Sequence, residues 1–599
     1  MSKVGYIIAF MCGIMLFNSC SNRMETRQNT HVPSLVKSEL KKSYGAYMAG
    51  RVAHLRKNFD KAADYYIEAI KNNPNNSSLI SSVYLLLVSE GRVEEAAKYA
   101  KIAQNQGDKN NFINIILYAD DLKKNNYVAA EKDLKGMKGA VYEQFIVPLL
   151  SAWTYVERDG NPDSNRKNAL KKLEIISKEP SFRALYHFHA GMINDYYGKN
   201  EEAQKHYEVI VNEESLEMSF RTLQIITNFY LRTNQKDKAV TLVDKYHDER
   251  LLTDMLARLA KNVKKSESKK TKPIITDASI GASEALFSIA STLRQGIAGI
   301  DLAHMFISLS LYENPNYDLA KLLLADVLEH REMYADANAL YDEIDKKSES
   351  YYTVQLRKAA NFVMMDDYKS AELLLKTMDI DGYQNYQLYL DLGDVLRINN
   401  KHSEAIEYYN KAIKKIDNLV TDNWVLFYAL GIAYEQDEQW EKAEKSFLKA
   451  LELSQNHYLV LNYLGYSWLK QGKNTEQAFE MIVDAYNQSP NDGHILDSMG
   501  WAFYRLGMYD NAITYMEKAA ELEPANATIS NHLGDAYWFG GRKNEASFQW
   551  NHVLTMKDET KEVDYDEVRA KINGKAPQNN IPKYDTSVIA NAMKEISAE

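Results

Sequence analysis

Few residues in this chain have the types and spacing that chemistry requires. His187 and His189 stand two apart, which on a helix turns them to different sides, so they read as packing or surface residues rather than as metal ligands. Asp379-x-Asp381-Gly382 has the opening oxygens of a calcium loop but lacks the third oxygen position and the terminal bidentate glutamate, leaving an inter-helix turn. Asn491-Asp492-Gly493, after Pro490, reads as a turn for the same reason. There is no HExxH, no GxSxG elbow and no GxxxxGK[ST] loop. Cys12 and Cys20 both lie at the extreme N-terminus, which leaves no pair for a disulfide or a cysteine metal site in the body of the chain. The expectation is therefore a chain with no catalytic residues, no bound metal and no cofactor. What remains is recognition: asparagine, aspartate, tryptophan and tyrosine recur between residues 459 and 539. Amide and carboxylate side chains can pair with the main chain of a bound peptide, while Trp and Tyr give large contact area at low entropy cost.

The elements that would position these side chains are set by a recurring alanine. Ala62, Ala96 and Ala130 repeat at a 34-residue stride, as do Ala303, Ala337, Ala371 and Ala405, and the stride returns after Ala443 and Ala478 at Ala512 and Ala546. A second alanine two helical turns on (Ala69, Ala103, Ala412, Ala450, Ala485, Ala519) shares the same helix face. A glycine precedes the first alanine across a turn at Gly50, Gly393, Gly431, Gly500 and Gly534, with Gly465 in the same register. Small residues at these points let two antiparallel helices approach closely, and Pro74, Pro315, Pro490 and Pro524 end one hairpin before the next begins. Looser copies around Ala169, Ala203 and Ala239 are expected to depart from the pattern.

The segments FDKAADYYIEAIKNNP, YKSAELLLK, HSEAIEYYNKAIKK, WEKAEKSFLKALEL and YDNAITYMEKAAELEP resemble the second helix of tetratricopeptide repeats. That resemblance implies an all-α fold, a right-handed α-solenoid of about 12–14 helical hairpins in two sub-arrays. In such arrays the first helix of each hairpin lines the concave groove through positions two, five, nine, twelve and thirteen when the glycine is position eight. On this sequence the rule selects Leu459, Asn462, Tyr466, Leu469 and Lys470, then His494, Asp497, Trp501, Tyr504 and Arg505, then Thr528, Asn531, Asp535, Trp538 and Phe539. Paired Lys and Arg of a carboxylate clamp are missing from this set, which disfavours capture of an acidic peptide terminus.

Composition agrees with an all-helical array: 41 tyrosines are available for inter-helix packing and only 11 prolines interrupt it. A net charge of −10 argues against a nucleic-acid surface. The one basic run, Lys261 to Lys272, closed by Pro273, reads as a solvated linker. At the N-terminus Lys3 precedes the apolar run Val4–Phe17, too short to span a bilayer but suited to a signal peptide. Its ending, Leu16-Phe17-Asn18-Ser19-Cys20, resembles the lipobox of bacterial lipoproteins, which implies acylation of Cys20, and Ser21 resembles the residue found in lipoproteins sorted to the outer membrane.

The stretches LNYLGYSW, LDSMGWAFYRLG and NHLGDAYWFGGRKNEASFQW, with GASEALFSIA at 281–290, resemble a proteobacterial family of long tetratricopeptide lipoproteins. One member of that family is the outer-membrane partner of a periplasmic carboxyl-terminal processing protease. The resemblance implies a non-enzymatic adaptor, lipid-anchored at the outer membrane and facing the periplasm, which brings such a protease to peptidoglycan hydrolases. The rival expectations are an assembly factor for an envelope machine and an unrecognised peptidoglycan-active enzyme. The expected organisation is a signal peptide (1–20), a tether (21–42), an N-terminal array (43–260), a linker (261–279), a C-terminal array (280–556), and a short helix with a flexible tail (557–599) in which Val588–Met593 is a candidate cap.

Overall fold

The computed structural model describes residues 34–556, apart from 72, 159, 214–217, 247–252, 267–270 and 295–298, and then 563–575 and 577. Cys20, the leader and Val588–Met593 lie outside the described residues. Within them the chain is helical throughout, with 30 α-helices and no strand. Consecutive helices pair as antiparallel hairpins, for example Phe59–Lys71 with the helix before it and Trp440–Ser454 with Trp424–Gln436.

The alanines of the stride explain the pairing. Ala62, Ala96, Ala130, Ala337, Ala405 and Ala443 are all fully buried, each in the second helix of its hairpin, and Ala371 is fully buried in Tyr368–Ile380. The glycines meet a partner helix at close range: a Cβ on Gly431 would stand 2.5 Å from the Phe447 ring, on Gly500 2.5 Å from Met516, and on Gly465 2.8 Å from the Ala478 carbonyl, while Gly534 abuts the Trp550 indole. The looser copies around Ala169, Ala203 and Ala239 still form hairpins, and all three alanines are fully buried.

The turn inside each hairpin also repeats. Gly91 donates to the Val88 carbonyl and Arg92 to Leu87, the crossed pair of bonds that ends a helix on a left-handed residue. The same left-handed position recurs at Lys57, Asn125, Asn234, Asp366, Asn400 and Glu438, with φ between 58 and 60°. Most of these residues carry a Cβ that the conformation disfavours, so stacking of the hairpins outweighs a local cost at each turn.

Contacts divide the chain into two compact units at Ala371/Glu372, inside the helix Tyr368–Ile380, and not in the 261–279 stretch expected as a linker. In the first unit the reason is visible. Leu256, Leu259, Val263 and Ile275, which flank or lie in that stretch, are buried in one continuous core that runs on to Val354. The helices Ala278–Arg294 and Ile300–Glu313 pack across Ser77–Ser89, Asn111–Lys123 and Val147–Val156, the row of first helices that lines the groove in a repeat array. Gly281 lies against the fully buried Trp153 indole, Phe112 meets Phe306 edge to face at 5.8 Å, and Lys123 Nζ donates to the Glu313 carbonyl at 2.8 Å. The chain thus fills its own N-terminal groove. The small residues of GASEALFSIA are what allow a helix to enter there: Ala282, Ala285 and Ala290 are fully buried.

One further expectation changes. The segment given to a tether through residue 42 is helical from Ser34, continuing to Leu55 without a break. After the last repeat the short helix Tyr565–Ile572 packs on Lys543–Val553.

Candidate functional site

In the second unit the first helices Tyr386–Ile398, Trp424–Gln436, Tyr458–Gln471, Gly493–Arg505 and Ala527–Phe539 follow one another in hairpin order. Among the described residues of the second unit, the helix that reaches this row from outside the hairpins is the short Tyr565–Ile572, whose Lys571 bonds to the last of them. Their starts are set by local side chains: Asp492 accepts from the amides of His494 and Ile495, and Asn526 from that of Ile529. Asn491-Asp492-Gly493 is thus a helix start following a turn.

The structure brings four of the selected side chains, Tyr466, Asp497, Trp501 and Tyr504, together around one buried histidine. His532 Nδ1 lies 2.8 Å from Asp497 Oδ2, and the Trp501 indole stacks on the imidazole at 4.3 Å between centroids. Tyr504 stacks on Trp501 at 5.0 Å, and Tyr466, two repeats before His532, approaches it at 6.4 Å. Burial opposes a charge on His532, but the Asp497 carboxylate, with Asp535 beyond it, outweighs burial and holds the imidazole above its usual range. Burial also drives the Tyr504 hydroxyl upward, so it remains a neutral donor.

A second cluster occupies the last repeat. Lys571, only 3% exposed, sends its ammonium to Asp535 Oδ2 at 2.8 Å and Asn531 Oδ1 at 3.2 Å, while Trp550 Nε1 donates to Asp535 Oδ1 at 3.1 Å. Burial lifts the Asp535 carboxyl, and Lys571 opposes it without cancelling it. Asn531 and Asp535 therefore spend their acceptors on the chain's own helix Tyr565–Ile572. Trp538 is half-buried over Trp550, and Phe539 stacks on Tyr509 at 5.4 Å. Leu469 is buried in the core, whereas Lys470, His494 and Leu459 are exposed.

Along the same row of first helices, several buried polar atoms have no hydrogen-bond partner: Glu435 Oε2, Asn462 Oδ1, Asp497 Oδ1, Trp501 Nε1, Tyr504 OH and Arg505 Nε. Acceptors and donors are both present, the complement of a peptide main chain. Buried polar groups are ordinarily paired, and unpaired ones occur in the first unit too, at Tyr207 and Glu313, so what sets this row apart is that its atoms recur on successive first helices. Glu435 lies one repeat before the three selected from the sequence, where the glycine register counted from Gly431 reaches it at position twelve. His532 and Lys571 carried no sequence signal, since neither falls at a groove position.

Elsewhere, His189 is fully buried and accepts from Trp153 Nε1 at 3.0 Å, with burial pushing its pKa down to about 3, and His187 meets His206 at 3.0 Å on the other side of the helix. Asp379 accepts from Gln384 and Tyr389 beside the turn at Gly382. A cavity of about 520 Å³ in the first unit is lined by Asn228, Asn262, Asn314 and Glu349, with Asn262 and Gln224 already donating to Glu349. Among the described residues no group of three or more His, Cys, Asp or Glu side chains could hold a metal ion.

Three segments, residues 386–414, 424–457 and 494–526, match the tetratricopeptide repeat family, and each falls on a helical hairpin of the second unit. The chain is similar to a TPR repeat-containing protein of Pseudomonas aeruginosa, 28% identical over 149 residues, 25% of this chain and 24% of that protein. It is similar to a TPR repeat-containing protein of Methanocaldococcus jannaschii, 24% identical over 47% of this chain and 53% of that protein. A third relative is the BBSome complex member BBS4 of Bos taurus, 31% identical over 21% of this chain and 23% of that protein. The chain thus spans about half the length of these relatives or less. Among solved structures, the APC/C hetero-tetramer Cut9-Hcn1 aligns over 91% of this chain and 99% of its own at 13% identity with a TM-score of 0.37. A tetratricopeptide repeat protein from Parabacteroides merdae aligns over 43% and 97% at 12% identity with a TM-score of 0.35.

Proposed function

We propose that this protein is a non-enzymatic adaptor that binds an extended segment of a partner protein along the first helices of its second unit. The observation that carries the reading is the unpartnered series Glu435, Asn462, Asp497, Trp501 and Tyr504, set among stacked aromatics on successive repeats. A bound peptide offers N–H groups to the acceptors and carbonyls to the donors, and the aromatic faces supply the contact area. In the first unit the corresponding row is closed by the chain's own helices, so that unit serves as support.

The finer reading adds place and partner. Acylation at Cys20 would tether the array to the periplasmic face of the outer membrane, and the resemblance of the C-terminal third to long tetratricopeptide lipoproteins supports a partner that is a carboxyl-terminal processing protease together with the peptidoglycan hydrolases it acts on. Affinity purification from native bacterial envelope tests this. The expected result is recovery of a protease or cell-wall enzyme by the parent protein and its loss with Trp501→Ala. Recovery of the same proteins by both forms, or hydrolysis of purified sacculi by the protein alone, would overturn the proposal.

A further inference from the structure

The helix Ser34–Leu55 carries the densest exposed apolar surface among the described residues. Its inner side, Gly50 and Ala53, packs on Phe59–Lys71, where Gly50 abuts the Tyr66 ring. Its outer side presents Tyr44 (67% exposed), Met48 (58%), Val52 and Leu55 (75%), with Tyr47 beside them. Positions 44, 48, 52 and 55 are spaced four, four and three apart, which is one continuous stripe on a helix. From Tyr44 to Leu55 the stripe runs about 16 Å. Arg51 is exposed within it, and Lys37, Lys41 and Lys42 precede it in the same helix.

What lies next to this face in the chain identifies its occupant. Residues 21–33, between Cys20 and the helix, read SNRMETRQNTHVP and supply too little apolar surface to cover it. Fully extended they reach at most roughly 45 Å. Any membrane to which Cys20 is attached is therefore within reach of the helix. The helix is 22 residues long, yet no helix among the described residues is long and apolar enough to cross a membrane. Aromatic and aliphatic side chains flanked by Lys and Arg on a helix that cannot span are the composition of a surface-lying segment.

We infer that the outer side of Ser34–Leu55 seats on an anionic lipid surface, with Tyr44, Met48, Val52 and Leu55 entering the headgroup boundary and Arg51 meeting lipid phosphates. The inference rests on the lipoprotein reading of Cys20 for its location. An anchor at Cys20 holds the chain at one point, and a second contact of this kind fixes the array's first hairpin against the leaflet.

The test uses the chain from residue 21 on, which retains every described helix and has no lipid, with vesicles of phosphatidylethanolamine and phosphatidylglycerol. The expected result is co-sedimentation that Met48→Glu with Leu55→Glu weakens about tenfold or more, at unchanged helicity and melting; both side chains are exposed, so the fold does not depend on them. No sedimentation of the parent, or equal sedimentation of the variant, overturns the inference. So does a variant that dissociates a dimer of the parent while vesicle binding stays the same, since a second copy would then cover the face. Labelled palmitate on Cys20 in cells reads the anchor separately from this contact.

Discussion

Replacing Gly281 by alanine tests how the first unit closes its own groove. Gly281 sits in the helix Ala278–Arg294, and a methyl group there would collide with the six-membered ring of Trp153. The indole has little freedom to yield: it is fully buried, and its Nε1 donates to the buried His189 at 3.0 Å. Overpacking of a close-packed core of this kind costs about 1–3 kcal/mol. Gly45 provides the contrast, because it is exposed in the helix Ser34–Leu55 with nothing near its Cβ position, so alanine there adds about 0.5–1 kcal/mol of stability by restricting the unfolded chain. The same chemical change thus has opposite signs at two glycines. Urea unfolding gives the two values, and hydrogen exchange of Val147–Val156 and Ala278–Arg294 localises the first. Trp153→Phe makes room at the cost of the His189 bond, so the double variant with Gly281→Ala should fall short of additivity by about 0.5 kcal/mol or more. A Gly281→Ala protein as stable as the parent, or strict additivity with Trp153→Phe, would refute insertion of this helix as the event that closes the groove.

Other outcomes follow from particular side chains. Glu438→Gly should stabilise the second unit by about 1 kcal/mol in a thermal melt, because Glu438 holds a left-handed conformation (φ 60°) that a Cβ disfavours. Burial pushes the Glu313 carboxyl from 4.5 up to about 8, with Ser279 and Lys123 opposing it. The folded state therefore holds a proton that the unfolded chain releases, and stability is full below about 4.5 and declines as pH rises through about 8. The slope is at most about 1.4 kcal/mol per pH unit, and Glu313→Gln should flatten it in urea midpoints taken across that range. Lys571→Ala leaves Asp535 buried without its cation and should cost about 3 kcal/mol, read as lost exchange protection in Ala527–Phe539 and Lys543–Val553.

The alanine stride was enough to place the second helix of nearly every hairpin, since a position where two helices touch tolerates only a small side chain, and that constraint is local. The glycine register likewise located Asn462, Asp497 and Trp501 on adjoining first helices. What the stride could not convey is pairing across long separations. Nothing in GASEALFSIA specifies that it enters a groove built by residues 77–156, because small residues permit close approach without choosing the partner. Asn531 and Asp535 show the same limit: their register is that of groove residues, yet Lys571, on a helix beyond the array, takes both. The left-handed turn residues escaped a search for glycine because Lys, Asn, Asp and Glu fill most of those positions here.

The central claim, that a partner lies along the first helices of the second unit, is tested most directly by site-specific photo-crosslinking in native envelope. A photoreactive residue at Tyr466 or Asn462 should capture one partner protein, while the same residue at the exposed Glu480 of the second helix Thr475–Gln488 should not. Trp501→Ala should weaken the capture by roughly 30-fold in partner concentration, the equivalent of about 2 kcal/mol. Capture through Glu480 and not through Tyr466, or capture indifferent to Trp501, would contradict the account.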